Sequence, residues 1–214
     1  MEKSVAVLGL GKYGRSVAEN LYRLGADVLA VDNNESLIAE FADKCTAAVC
    51  ANLANEDEVA GLGLQNMDIV VCAMGGNLAA SIMSVAVAKE LGVPLVVAKC
   101  STPRMASLLK KVGADKVLDP EGQGGHRSAR ILMSSMFRDF FEIDSNMYMI
   151  EMSVKTEWIG KCLLELDLRR TMHLNVIAVK EGNGLWHFVE PKTRFTSKTQ
   201  VLIVAEKQYL NKIG

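Results

Sequence analysis

Short apolar runs alternate with amphipathic stretches through the first 120 residues of the chain. The runs at 4–9, 27–32, 47–50, 68–73, 95–99 and 116–118 read as strands. Between them, 12–24, 36–44, 56–62, 79–91 and 103–112 carry apolar side chains at helical spacing. Gly25, Gly92 and Gly113 each stand just before the next strand, where a helix C-cap belongs. Strands that are apolar on both sides need cover on both faces. Strand–helix alternation supplies it by placing a parallel sheet between helix layers. The expectation is an α/β fold, a doubly wound Rossmann-like parallel sheet, with ligand at the carboxyl ends of its strands.

The pattern then changes. Residues 119–125, DPEGQGG, read as a loop. Beyond it, Ala129, Leu132, Met133, Met136, Phe137, Phe140 and Phe141 recur at the spacing of one broad helix face. Such a helix either packs on its own sheet or crosses over to a partner subunit. The second reading is preferred, because two phenylalanine-rich turns offer more apolar surface than a last helix needs. From about residue 144 a small α+β unit begins, with strands expected at 147–154, 175–180 and 200–205 and a helical stretch at 158–166. Met147, Met149 and Met152 are expected in core or interface rather than in a metal site.

Composition narrows the function classes. Half of the 214 residues are hydrophobic, enough for a sizeable core, and the net charge of −1 gives no basic footprint for nucleic acid. No apolar run approaches the roughly 20 residues that cross a bilayer, and with a strand-like start no signal peptide is expected. Cys45, Cys50, Cys72, Cys100 and Cys162 are scattered without a CxxC pair, as in a reduced cytoplasmic protein. His126, His173 and His187 are too far apart to suggest a zinc site.

The densest chemistry lies at the start. Gly9, Gly11 and Gly14 form GxGxxG between a strand and a helix, and Asp32 ends the next strand 18 residues past Gly14. The first glycine permits a tight turn, the second leaves the backbone open to a phosphate, and the third lets the helix sit close to the sheet. The helix N-terminus favours an anion, and the acid can accept ribose hydroxyls. Other strand-end residues have two readings each. Asn34 shares the ribose or caps a helix. Asn52 meets a base or makes a turn. Lys99 faces a phosphate or solvent. Glu121 is a solvated loop acid, or stands near phosphates with a divalent cation between. His126 is more simply an exposed helix-start histidine than a ligand neighbour. No tyrosine is followed four residues later by lysine, and GxSxG is absent. A nucleotide site without visible catalytic machinery suggests a sensor or regulatory subunit.

GLGKYGRSVAENL, VLAVDNNE, ANLANEDE, CAMGGNLAAS, KKVGADKVLDPEGQGG, GKCLLELDLRR and NVIAVK follow one another along the chain. Together they resemble the RCK (or KTN) family, and more closely the cytosolic subunits of Ktr/Trk-type potassium uptake systems. The resemblance divides the chain into a Rossmann-like nucleotide-binding domain (1–122), a crossover helix that joins protomers (123–142) and a C-terminal α+β domain (143–214). It implies a non-enzymatic, nucleotide-sensing gating subunit of a potassium transporter. That subunit is a homo-oligomer, with a dimer as building block and an octameric ring as assembly. It sits on the inner face of the cell membrane through a potassium-translocating partner. By position, Gly9, Gly11, Lys12, Gly14 and Lys99 hold phosphates, Asp32 and Asn34 the ribose, and Asn52, Ala73 and Met74 the base. Leu10, Tyr13, Leu53 and Gly75 complete the set. ATP or ADP is the preferred ligand and NAD(H) the other, with Glu121 helping a divalent cation, Mg or Ca, bridge subunits. In relatives the C-terminal domain can take cyclic di-AMP, and Arg169, Asn175, Ile177 and Pro191 occupy the matching positions. The alternative function is an NAD-dependent oxidoreductase or NAD(H) redox sensor.

Overall fold

The computed structural model describes residues 3–213. The chain forms two compact units, Met1–Gly122 and Gln123–Gly214.

The first unit is built on six parallel strands: β1 (Ser4–Leu8), β2 (Asp27–Asp32), β3 (Ala47–Cys50), β4 (Ile69–Cys72), β5 (Leu95–Lys99) and β6 (Lys116–Leu118). Their order in the sheet is β3-β2-β1-β4-β5-β6. Side chains along a strand point alternately to the two faces. Accordingly, Val5 and Val7 join one hydrophobic cluster while Ala6 and Leu8 join the other. All four are buried, which is why β1 reads as an unbroken apolar run.

Helices cover both faces. On one, α1 (Lys12–Arg23) contributes Tyr13, Val17, Ala18 and Leu21, and α2 (Glu35–Phe41) contributes Ile38 and Phe41. On the other, α3 (Glu56–Ala60), α4 (Leu78–Glu90) and α5 (Pro103–Val112) supply Val59, Val85, Ala88, Met105 and Leu109 among others. The strand and helix order is that of a doubly wound sheet, and the reversal point lies between β1 and β4.

Two expectations fail around residue 120. The stretch read as a loop is helical: α6 runs Pro120–Met133. Proline is preorganised for the first helical turn, and the Asp119 carboxylate accepts the Gly122 N–H at 2.9 Å, as a capping side chain does. The crossover helix expected through Phe141 ends at Met133, and Phe137–Glu142 is strand β7. Phe140 and Phe141 pair with Ile150 and Met149 of β8 (Met147–Ser153). Aromatic side chains suit a half-buried sheet, so tertiary pairing overrides the helical spacing.

The second unit closes around an antiparallel sheet, β10-β9-β11-β8-β7, in which β9 is Leu174–Glu181, β10 His187–Phe188 and β11 Thr199–Glu206. Along β8, Tyr148, Ile150 and Met152 are buried and their neighbours are not. Along β11, Val201, Ile203 and Ala205 do the same. These alternate rows meet Phe140, Trp158, Leu168 and Phe195 in one core. Two one-turn helices, α7 (Leu163–Leu166) and α8 (Leu168–Thr171), lead into β9.

Candidate functional site

The residues just past β1, β2, β4 and β5 converge at the sheet's reversal point. Gly9 adopts φ +96°, open to glycine but strained for other residues, and its N–H donates to the Val31 carbonyl at 2.7 Å. A Cβ on Gly9 would press to 2.8 Å from the Met74 side chain, and one on Gly14 would collide with the Gly9 carbonyl oxygen. The turn and the first turn of α1 therefore touch backbone to backbone. Gly11 differs. It is the N-cap of α1, has extended backbone, and a Cβ there would meet nothing within 4 Å. No side chain caps α1 and its first turn holds no acid, so its N–H groups and positive dipole end remain available to an anion.

Asp32 holds this turn against the end of β2. Its Oδ2 accepts the Leu10 N–H at 2.7 Å and its Oδ1 accepts the Asn34 N–H at 3.0 Å. Each carboxylate oxygen keeps a further lone pair for a ribose hydroxyl. Leu10 itself is fully buried, so only its backbone belongs to the site.

Lys99 supplies the cation. Its side chain is only 13% exposed, and its Nζ lies 2.6 Å from Glu121 Oε1. The hydrogen bond from Lys99 holds the Glu121 carboxyl below the usual carboxylate range. The same ammonium sits 5.7 Å from the centroid of the Tyr13 ring on the first turn of α1. The end of the lysine chain lies 3.0–3.3 Å from where a Gly75 Cβ would be, so glycine at 75 makes room for it. Two serines fix this loop: Ser81 Oγ donates to the Met74 carbonyl at 2.7 Å and Ser101 Oγ to the Gly75 carbonyl at 2.9 Å. Neither serine stands out in the sequence, although Ser81 is a fully buried polar residue in α4. A cleft of about 280 Å³ opens beside the loop, lined by Gly75, Gly76, Ser101, Thr102, Arg104 and Met105 among others. Thr102 and Arg104 carry no motif that marks them in the sequence.

Gly9, Leu10, Tyr13, Gly14, Asp32, Met74, Gly75, Lys99 and Glu121 are thus joined by contacts, and Gly11 stands open between Leu10 and Lys12. Lys12 follows Gly11 and is exposed. Ala73 is buried at the end of β4, and its N–H donates to the Leu8 carbonyl at 2.7 Å. Asn34 spends its side-chain oxygen capping α2, accepting from the N–H groups of Ser36 and Leu37. Asn52 accepts the Ala54 N–H at 3.1 Å in a turn of its own, and its own N–H donates to Glu58. The Leu53 side chain packs in the core, so its neighbour Asn52 presents the polar group at the end of β3. His126 lies in the second unit, 3.4 Å from Glu142 and edge-on to Phe140.

A smaller cleft of about 170 Å³ in the second unit is lined by Arg169 and Asn175 together with Leu163, Asp167, Leu168, Leu174 and Val176. Ile177 and Pro191 are not among its lining residues, although the Pro191 carbonyl accepts the Leu164 N–H at the next residue along from Leu163. Among the described residues, no three His, Cys, Asp or Glu side chains cluster as a metal site, and no helix is long and apolar enough to cross a membrane.

The model of the TrkA-N domain matches residues 5–120. The chain is 33% identical to the Ktr system potassium uptake protein C of Bacillus subtilis, over 95% of this chain and 92% of that one. It is also 33% identical to the Ktr system potassium uptake protein A of Vibrio alginolyticus, over 98% and 95% of the two chains. Among solved structures, the GsuK channel bound to NAD superposes with a TM-score of 0.68 over 98% of this chain. That match spans 38% of the channel chain at 18% identity, a likeness of fold alone. With its first unit covered by that domain and nearly its whole length by the Ktr proteins, the chain belongs to the TrkA-N family.

Proposed function

We propose that this chain is a nucleotide-sensing regulatory subunit of a potassium uptake system, acting without catalysis. An adenine nucleotide lies at the reversal point of the sheet, and its occupancy rearranges a homo-oligomeric ring that opens or closes a separate membrane subunit on the cytoplasmic side. The observation that carries the reading is the pairing of an uncapped, unblocked helix N-terminus at Gly11 with the Asp32 carboxylate. Kinship with potassium uptake proteins over almost the full chain supports the transport role.

The phosphates face Gly11, Lys12 and Lys99, the ribose faces Asp32, and the base lies toward Asn52 and Met74. ATP or ADP is the first ligand choice. NAD(H) is the second, favoured by the cleft beside Gly75, which gives a dinucleotide room beyond the glycine turn. A divalent cation at Glu121 would draw its other ligands from phosphate oxygens or a partner copy. Arg169 and Asn175 share one concave surface, which supports a second ligand of the cyclic di-AMP type in the C-terminal unit.

Switching follows from differential affinity. Driving a ring from about 1:99 to 99:1 requires roughly 5.5 kcal/mol between its two states, about 0.7 kcal/mol per site when eight sites share it. Thermal shifts with ATP, ADP, NAD, NADH and cyclic di-AMP test the reading, because selective binders of the folded state raise its Tm. An adenine nucleotide stabilises the chain if the reading holds; silence from all of them refutes it. Turnover of NADH by the purified protein would instead favour an oxidoreductase.

A further inference from the structure

Three of the first six residues of α6 are glycine: Gly122, Gly124 and Gly125. Space demands only the first, where a Cβ would collide with the Asp119 carboxylate. At Gly124 and Gly125 a Cβ would meet nothing within 4 Å, and neither residue has positive φ. Glycine is among the poorest helix formers, so the helix begins with turns that its own backbone hardly supports. Two polar contacts hold them: Gly122 N–H on Asp119, and Glu121 on Lys99.

The second contact draws on the nucleotide site. The Lys99 ammonium that grips Glu121 lies beside Tyr13 on the first turn of α1 and against Gly75. A nucleotide phosphate at the α1 N-terminus competes for that ammonium. It also repels the Glu121 carboxylate, which carries the same sign of charge. We propose that Lys99 is the residue through which occupancy reaches α6. When phosphate takes Lys99, Glu121 lets go and the glycine-rich first turns of α6 loosen; when the site empties, Lys99 recaptures Glu121 and the turns close. This inference rests on the nucleotide reading above and adds to it the positioning residue that couples the site to the next element.

The test uses the full chain with ADP in EDTA, so that no divalent cation intervenes. Removing the competing carboxylate with Glu121→Gln, an exposed position, tightens ADP binding by about twofold to fivefold, the range of such ion pairs. In a Lys99→Met background the gain shrinks to what relief of charge repulsion alone gives, because there is no ammonium left to release. In the unaltered chain, ADP speeds amide hydrogen exchange across 122–126, a measurement that needs no substitution. Tightening as large without Lys99 as with it would mean simple charge repulsion and would overturn the inference. So would ADP that binds without changing that exchange, or that slows it, or Glu121→Gln that binds no tighter. A chain that binds neither ADP nor NAD removes the nucleotide reading, and this inference with it.

Discussion

The Asp32 carboxylate accepts the backbone N–H of Leu10 at 2.7 Å, so the acid expected to hold a ribose also clamps the turn expected to hold phosphates. Its other oxygen accepts the Asn34 N–H. One side chain at the end of β2 thus sets the turn after β1 and the approach to α2. Asp32→Ala leaves both N–H groups without this acceptor. We expect a loss of about 1–3 kcal/mol in urea unfolding together with loss of nucleotide-dependent thermal stabilisation. Asp32→Asn keeps one acceptor oxygen and should recover part of the stability but little of the binding. A variant that binds nucleotide as the parent does would remove Asp32 from the site.

The glycines of the turn separate by substitution. Gly11→Ala adds a methyl group to open space at an extended backbone position that alanine also adopts. Its stability should stay within about 0.5 kcal/mol of the parent, while nucleotide binding weakens because the methyl group occupies the phosphate approach. Gly14→Ala drives a methyl group into the Gly9 carbonyl and should cost about 1–3 kcal/mol or more before any ligand is added. Denaturation and titration of both variants decide it. Equal destabilisation by the two would contradict an open Gly11.

These contrasts mark what the sequence makes legible. Val5–Leu8 could be read because a strand buried on both faces leaves no polar position. Gly9, Gly11, Gly14 and Asp32 could be read because turn, helix start and acid have fixed spacings within one βαβ unit. Around residue 120 local pattern misleads. Phe137, Phe140 and Phe141 have helical spacing, yet they pair with a strand that comes later in the chain. Gly122, Gly124 and Gly125 look like a loop until Pro120 and Asp119 start a helix through them. Ser81 and Ser101 escape notice because a hydroxyl bonded to a loop carbonyl leaves no periodic trace. Asn34 had two readings, and its cap on α2 is visible only from hydrogen bonds.

Acid should weaken the second unit through Asp139. The hydrogen bond from Arg127 Nε at 2.6 Å, with a second contact from the same guanidinium, holds the Asp139 carboxyl below the usual carboxylate range, and the Phe140 N–H adds to this. A depressed carboxyl pKa stabilises the fold above its unfolded value, near 4, and that contribution disappears as pH falls through the folded value. Because the Arg127 side chain is 47% exposed, solvent screening limits the effect to about 1 kcal/mol. Asp139→Asn should therefore unfold more easily than the parent at pH 7, and the gap should close below about pH 4. Urea midpoints measured from pH 7 to pH 3 follow it; a gap that widens in acid would contradict the assignment.

Cysteine labelling reads the site from outside. Cys45, Cys72, Cys100 and Cys162 are buried, and burial pushes the Cys72 thiol up to about 12, far from the thiolate that reacts. Cys50 is exposed at the end of β3, opposite Asp32 in the sheet register. In the native chain a thiol reagent should modify one cysteine quickly, Cys50→Ser should abolish that phase, and the others should react only on unfolding. A nucleotide whose ribose sits on Asp32 covers the end of β3, so saturating ATP, ADP or NAD should slow the fast phase several-fold. The ligand that protects best is the one the crevice selects. Protection by cyclic di-AMP alone would make this crevice, rather than the second unit, the cyclic dinucleotide site, and unchanged labelling with a ligand that raises Tm would place its base away from β3.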